Sequence, residues 1–324
     1  PALAAQTYTR LVEAEPRDRT LWTPTADAFV ALRDREGFEQ LVRRTLEGLI
    51  EPEDRNALRM ELAARLMGPF GAQEDAVGVL REVLDEDPDH LGASQALADV
   101  FERAGRNEEL ADLLRLQLDR ARDRNDATAV AALSLRTGDL YARGSGGAAR
   151  RDDAMEAYRA GLDWAPEDAA LLRALYELYG TMSPRGSAPD PAYDARDRAT
   201  LGERLLAVET GEAAGKLALS LADQLTELED ADAALRALDV GFRAAPTHEK
   251  LRKRLEKTLR ERNDLDALAE MIALDAAHRE SEAARLARFR EAAALYTNEL
   301  GRPERAADVL REAAALAPSD LALL

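Results

Sequence analysis

The stretch DDAMEAYRAGLDWAPED, residues 152–168, contains the spacings that decide the fold. Counted back from Pro166, Gly161 lies five residues before the proline, Tyr158 eight and Ala154 twelve. These offsets place two small residues and one aromatic residue on the same face of an α-helix. Because proline cannot continue a helix, this helix has to end close to Pro166.

The same pattern precedes four other prolines. The residues at the three offsets are Ala4, Tyr8 and Leu11 before Pro16; Ala76, Leu80 and Val83 before Pro88; Ala234, Leu238 and Gly241 before Pro246; and Ala306, Leu310 and Ala313 before Pro318. The five prolines are separated by 72, 78, 80 and 72 residues. A fixed period within one chain indicates a repeat architecture.

Two of the intervals are longer than the others, and each contains a segment rich in Gly, Ser or Pro. These segments, GSGGAARR (144–151) and TMSPRGSAPDP (181–191), are interpreted as loop insertions. Without them the period is roughly 70 residues, which holds two helix pairs. The sequence thus predicts about seventeen helices in a single solenoid over residues 1–324. The chain starts within a second helix and stops where a first helix should begin, so we expect a fragment of a longer repeat protein.

These residues resemble the tetratricopeptide repeat (TPR) family, and the resemblance covers nearly the whole chain. The first-helix pattern is matched by Trp22, Ala26 and Phe29; by Leu97, Ala98 and Phe101; and, with one extra residue in the following turn, by Phe289, Ala292, Ala293 and Tyr296. Alternate units near 37–50, 107–122, 191–208 and 263–278 lack the final proline. The resemblance implies an all-α, right-handed α-solenoid of stacked antiparallel helix pairs. In that fold, small residues such as Ala26 and Ala98 let helices approach closely.

Composition excludes several classes of protein. Apolar residues make up 46% of the chain, so general disorder is not expected, and aromatic residues make up only 5%, which suits a thin core. The net charge of −18 opposes binding to nucleic acid or to an anionic membrane. No apolar run approaches the roughly 18 residues that span a bilayer, and no signal peptide is visible. We therefore expect no membrane insertion and a cytoplasmic protein whose targeting signals can lie outside the fragment. The high ratio of Arg to Lys and the Ala content favour a bacterial source.

The sequence offers no catalytic or metal-binding pattern. His90, His248 and His278 lack metal-ligand spacing, and His90 and His248 fall where a loop or helix start is expected. The acidic stretch DEDPD (85–89) lacks the glycine and closing glutamate of a calcium loop, so it is interpreted as a turn. Tyr176 and Tyr179 suit core packing better than a ligand-binding rung. We predict no enzyme activity, no cofactor and no metal.

One helix, HEKLRKRLEKTLRERN (248–263), departs from the acidic background. Its apolar stripe is Leu251, Leu255 and Leu259. A different face carries Lys250, Lys253, Lys257 and Arg260, which we call the basic face. Lys216, the only other lysine, lies in the preceding pair. The TPR resemblance places these five cations in a concave groove, where other positions are acidic: Asp27, Asp99, Glu177 and Asp223.

Two interpretations of the basic face stay open. It is either a partner site or a solvated surface neutralised by Glu249, Glu256 and Glu261. Some TPR proteins hold a peptide's terminal carboxylate with basic residues and asparagines. The asparagines are absent here, so the resemblance implies an acidic peptide or protein surface.

The predicted function is a non-catalytic scaffold or adaptor that binds a protein or peptide in the groove. One alternative is a regulatory or substrate-presenting region of a larger enzyme whose catalytic domain lies outside this chain. A second is a spacer that self-associates end to end. An RNA-binding repeat is opposed by the net charge.

Overall fold

The computed structural model describes residues 1–144, 147–182 and 194–316. These residues form seventeen α-helices and no strand. The helices are α1 (Ala2–Ala14), α2 (Trp22–Leu32), α3 (Arg35–Gly48), α4 (Pro52–Met67), α5 (Gln73–Glu86), α6 (Leu91–Ala104), α7 (Asn107–Asp123), α8 (Ala127–Arg143), α9 (Gly147–Trp164), α10 (Ala169–Met182), α11 (Ala195–Val208), α12 (Gly211–Glu227), α13 (Ala231–Ala244), α14 (Glu249–Glu261), α15 (Leu265–Ala277), α16 (Glu282–Ala294) and α17 (Pro303–Leu316). The all-α fold and the number of helices confirm the prediction.

The chain divides into two compact units, Pro1–Arg120 and Ala121–Leu324. In the first unit, α4 packs on α5, α5 on α6, and α2 also reaches α4. In the second unit, α8 packs on α9, α12 on α13, and α12 also reaches α14. Contacts to the next helix and to the one after it are the mark of stacked helix pairs, since each pair covers the apolar face of its neighbour. A single solenoid over residues 1–324 stays a prediction.

The repeat prolines set helix ends. Helices α1, α5, α9 and α13 each end two residues before a proline, at Ala14, Glu86, Trp164 and Ala244. The residue before a proline is forced out of the helical region by the proline ring. Accordingly, φ is −130° at Glu15, −127° at Asp87 and −139° at Ala245. The helix ends predicted from these prolines are confirmed. Pro318, the fifth proline, lies outside the described residues.

The residue two positions after each of these prolines caps the next helical segment, which is α6, α10 or α14 after the later three prolines and a short 3-10 turn, Arg19–Leu21, before α2 after Pro16. Asp18 and Asp168 accept hydrogen bonds from the backbone N–H groups of Thr20 and Leu171. His90 and His248 do the same through Nδ1, accepting from Ala93 at 3.1 Å and from Leu251 at 3.2 Å. A cap satisfies one of the free N–H groups at a helix start. The two histidines therefore begin helices, as predicted.

A second kind of connection joins helices without proline. One residue adopts a left-handed conformation, with φ between 54° and 60°, and the next residue is an aspartate that caps the following helix. The pairs are Arg33–Asp34, Asn125–Asp126, Glu229–Asp230 and Asn263–Asp264. The aspartate backbone N–H bonds back to the carbonyl five residues earlier, which closes the preceding helix. Each of these turns therefore closes one helix and caps the next within a few residues.

Small residues lie where helices cross most closely. Ala26, Ala98, Ala154, Ala234 and Ala306 are all buried, as expected. A Cβ atom added to Gly241 in α13 would lie 2.2 Å from the Ala218 Cβ atom in α12. Ala4 and Leu11 are an exception to the repeat pattern, since both are exposed on α1. Their counterparts in α5, Ala76 and Val83, are fully buried.

The two core regions differ in their large residues. In the first unit, the rings of Phe29 and Phe38 lie 5.8 Å apart and those of Phe38 and Phe70 lie 6.4 Å apart. Trp22 begins α2, is buried, and donates its indole N–H to the Pro16 carbonyl at 3.1 Å. In the second unit, alanine and leucine from α12, α13, α14 and α15 form one core cluster around Phe242, and a cluster from α8 to α11 contains Tyr158, Tyr176 and Tyr179.

Three predicted irregularities have different outcomes. The insertion predicted at 144–151 includes residues 145–146, which lie outside the described residues, while α9 begins at Gly147. Most of the insertion predicted at 181–191 also lies outside them. The extra residue expected in the turn after Tyr296 lies instead within a π-helical turn, Leu295–Glu299, that continues α16. A π turn holds an additional residue without ending the helix.

Candidate protein-interaction face

Helix α14 presents two opposite surfaces. Leu251, Leu255 and Leu259 are buried in the core of the second unit. Because these leucines recur every four residues, they turn one side of the helix inward. The basic face lies on the other side, and all four of its side chains are exposed. The sequence therefore identified a real cationic surface on α14, although its role in binding stays a prediction.

The lysines of the basic face have only weak partners. Lys253 lies 2.6 Å from Glu249 and Lys257 lies 3.6 Å from Glu261, both one turn away on the same helix. The hydrogen bond from Lys253 lowers the pKa of Glu249. Exposed pairs of this kind contribute little free energy, since water screens them. These lysines can therefore exchange their intrahelical partners for an external carboxylate at small cost.

Arg260 differs from the lysines because it belongs to a larger ion-pair network. It donates to Glu256 at 2.8 Å and to Glu291 of α16 at 2.9 Å. Arg288 of α16 pairs with the same two carboxylates. Burial by itself raises the pKa of Glu256, but hydrogen bonds from Arg288 and Arg260 outweigh it, so the pKa is lowered. Arg260 thus fastens α14 to α16 and is less available to a partner.

The centre of this network is a buried aspartate that the sequence analysis missed. Asp275 of α15 is only 2% exposed. Its carboxylate accepts hydrogen bonds from Arg279 at 2.8 Å and from Arg288 at 2.7 Å, and Arg252 of α14 lies 3.6 Å away. A buried carboxylate needs such partners to offset its loss of hydration. The available signal was an aspartate within the apolar stripe of α15, three residues after the buried Ile272.

Lys216 is exposed on α12, which is the first helix of the pair before α14. Its Nζ is 3.3 Å from Glu212, and the same carboxylate lies 3.8 Å from Nε2 of His248. His248 caps the start of α14 and packs against Gly215 of α12. Glu212 thus connects Lys216 to the beginning of the helix that carries the basic face.

Two depressions adjoin the basic face. One, of about 370 Å³, is lined by Lys253, Glu256, Lys257, Arg260 and Glu261. The other, of about 330 Å³, has an apolar floor from α12 and α13 and a charged rim from α14. We call the second depression the α12–α14 hollow. Lys257 and Glu261 line both. A cationic surface and an apolar hollow therefore share one border.

The acidic residues predicted in the groove, on the first helices of other pairs, are also exposed. Asp27 and Asp99 lie in the first unit, and Glu177 and Asp223 lie in the second. Asp223 of α12 is 3.6 Å from Arg254 of α14, and Asp27 is 3.0 Å from Arg65. Within the second unit, an acidic residue on α12 is therefore paired with an arginine of α14 that lies outside the basic face.

Tyr176 and Tyr179 are core residues, as predicted, with exposures of 7% and 1%. The Tyr176 ring packs against Gly202 of α11, where an added Cβ would lie 3.0 Å away. Its hydroxyl accepts a hydrogen bond from Gln224 at 3.0 Å, and the Arg198 guanidinium lies 4.6 Å from its ring centre. Gly202 thus makes room for a large side chain on α10.

The described residues contain no group of three or more His, Asp or Glu side chains placed to hold a metal ion. In the DEDPD stretch, Asp85 and Glu86 end α5, and Asp87 accepts a hydrogen bond from the backbone N–H of Asp89, so the rest of the stretch forms the predicted turn after a helix. His278 lies at the end of α15 with Nδ1 2.9 Å from the Leu274 carbonyl oxygen.

Across the described residues, no helix is long and apolar enough to cross a bilayer.

Comparisons with known proteins gave no matching family model and no significant match among curated proteins. Solved structures gave matches to TPR proteins. The C-terminal part of a TPR repeat-containing protein from Cytophaga hutchinsonii is 14% identical with a TM-score of 0.45, over 77% of this chain and 92% of that one. YrrB, described as a TPR protein with an unusual peptide-binding site, is 16% identical with a TM-score of 0.30, over 64% of this chain and 95% of that one.

A chain from the structure of Naa15/Naa10 bound to HypK-THB is 17% identical with a TM-score of 0.45. It covers 98% of this chain, and this chain covers 51% of it, or about half its length. Identities and scores this low concern the fold alone. The stacked helix pairs and the repeat pattern give this chain a TPR-like helical-repeat fold.

Proposed function

We propose that this chain is a non-catalytic interaction scaffold that binds an acidic peptide or acidic protein segment on the basic face of α14. The observation that carries the proposal is the placement of every lysine in the chain. All four lysines are exposed, three of them on α14 and one on the adjacent α12. The whole chain, by contrast, has a net charge of −18. Residues 248–263 hold seven lysines and arginines against three glutamates, so this region attracts an acidic ligand.

The geometry supports a binding surface that is already in place before the ligand arrives. The leucines of α14 anchor the helix in the core, and Arg260, Glu291, Arg288 and Glu256 fasten it to α16. Binding to a fixed surface costs less conformational entropy than binding to a mobile one. The lysine side chains alone need to reorder.

A binding assay with defined peptides tests the proposal. Fluorescein-labelled peptides of alternating Asp and Glu are titrated with the wild-type chain and with the variant Lys250→Glu/Lys253→Glu/Lys257→Glu. We expect the variant to bind at least about tenfold more weakly, since each reversal replaces an attraction with a repulsion. Added salt should weaken wild-type binding, because exposed charges are screened.

The matched control reverses three exposed arginines of the first unit, Arg10→Glu/Arg17→Glu/Arg43→Glu. It changes the net charge by the same amount, so it separates a local site from a general charge effect. Equal weakening by both variants would show that binding follows net charge alone. No measurable binding by the wild type would refute the proposal.

A further inference from the structure

The α12–α14 hollow lies beside the basic face and is lined by three helices. Its floor comes from Ala222 of α12 and from Ala234, Leu235 and Leu238 of α13. Ala222, Ala234 and Leu238 are buried. Its rim on the α14 side carries Arg254, Lys257 and Arg262, together with Glu261. The volume of about 330 Å³ lies at the lower end of the range typical of ligand pockets.

Small side chains create the hollow. Alanines at the end of α12 and the start of α13 leave space that a larger residue would fill. Two contacts then hold the surrounding helices in position. Arg262 donates to the Ala231 carbonyl at 3.0 Å and pairs with Asp232 of α13. Arg254 lies 3.6 Å from Asp223 of α12. The hollow is therefore fixed by contacts between α14 and both of its neighbours.

We infer that the α12–α14 hollow binds an apolar side chain of the acidic segment, so that the ligand class is an acidic segment with one aliphatic anchor. This inference rests on the proposed function and deepens it. Lys257 borders both the hollow and the depression on the basic face, so a ligand can use both at once. Carboxylates flanking the anchor would meet Arg254, Lys257 and Arg262, in exchange for the present partners Asp223, Glu261 and Asp232.

The chemistry of the hollow favours an aliphatic group over a polar one. The alanine and leucine side chains of the floor offer no hydrogen-bond partner, and the hydroxyls of Thr226 and Thr258, which also line the hollow, donate to carbonyls of their own helices. A polar group against the floor would therefore lose hydration that the floor does not replace. A leucine side chain gains free energy by leaving water. The anchor therefore adds affinity that the charged contacts alone do not supply.

Two labelled peptides test the inference. Both consist of alternating Asp and Glu, with a single central Leu in one and a central Ser in the other. We expect the wild-type chain to bind the Leu peptide about tenfold more tightly, because an apolar side chain is buried. Equal affinity for the two peptides would overturn the inference and leave the proposed function intact. If neither peptide binds, the proposed function fails and the inference fails with it.

A blocking variant locates the anchor. Thr226→Trp places a large ring at the hollow, where Thr226 is an exposed lining residue whose hydroxyl donates to the Ala222 carbonyl. Its matched control is Thr7→Trp, at an exposed helical threonine of the first unit with the same kind of hydrogen bond, to Leu3. We expect Thr226→Trp to remove the preference for Leu over Ser, and Thr7→Trp to keep it. A preference that survives Thr226→Trp would overturn the inference.

Discussion

The close crossing of α12 and α13 makes a sharp prediction for the substitution Gly241→Ala. The added Cβ would lie 2.2 Å from the Ala218 Cβ atom. Carbon atoms in contact are normally about 3.5–4.0 Å apart, so the two helices would have to separate by about 1.5 Å. Overpacking of this kind costs about 1–3 kcal/mol. Replacing glycine by alanine within a helix also raises stability by roughly 1 kcal/mol, so a control is needed to separate this gain from the cost of overpacking.

Gly78→Ala is the matched control, because Gly78 lies within α5 and a Cβ added there meets no atom within 4 Å. The gain in helix propensity is common to both substitutions and cancels in the comparison. We expect Gly241→Ala to be less stable than Gly78→Ala by about 1–3 kcal/mol. The assay is urea unfolding followed by far-UV circular dichroism, with the midpoint and the slope compared for each variant.

The partner residue provides a second check. Ala218→Gly removes the methyl group that Gly241→Ala would strike, so the double variant should lose less stability than the two single losses together. Equal stability of Gly241→Ala and Gly78→Ala, or strict additivity in the double variant, would refute the close crossing of the two helices.

The ion-pair network around Asp275 makes two further predictions. Asp275→Ala should lower the free energy of unfolding by about 3–5 kcal/mol, because it leaves guanidinium groups without their buried partner. In contrast, Asp266→Ala removes an exposed partner of Arg302 and should lower the free energy of unfolding by at most about 1 kcal/mol. Similar losses for the two variants in urea titrations would contradict the importance of the buried network. Because the pKa of Glu256 is lower in the folded chain than its ordinary value of 4.5, the unfolded chain takes up the proton first as the pH falls. The Glu256 carboxylate therefore stabilises the fold above pH 4.5, and this stabilisation is lost as the pH falls through the folded-state pKa. Unfolding measured from neutral to acid pH should therefore show a smaller loss in Glu256→Gln than in the wild type, and identical pH profiles would contradict the pairing.

The repeat structure could be predicted from sequence because its signals are local. A proline limits the residue before it, so the ends of α1, α5, α9 and α13 follow from single positions. The buried Leu251, Leu255 and Leu259 likewise follow from helical spacing, and the exposed basic face follows from the same count. Each of these predictions needs only one helix.

Features that depend on several helices could not be predicted in this way. Asp275 is stabilised by arginines from α14 and α16, and their convergence depends on the packing of three helices. The α12–α14 hollow depends on alanines whose positions relative to α14 are not set by any single spacing. Even Ala4, which fits the repeat pattern, is exposed on α1, whereas Ala5 and Val12 are buried, so the pattern alone does not determine which side of α1 is covered.

The concentration of lysines gives the chain an unusual chemical reactivity. Amine-reactive reagents modify lysine side chains and leave arginine intact, so on this chain's side chains they can act only at Lys216, Lys250, Lys253 and Lys257. All four lie on α12 or α14 and are exposed. Acetylation would therefore remove positive charge from one region and leave the arginine network of Asp275 unchanged. For the same reason, an amine-directed crosslinker would attach to a bound partner almost entirely through this surface, without any engineered attachment point.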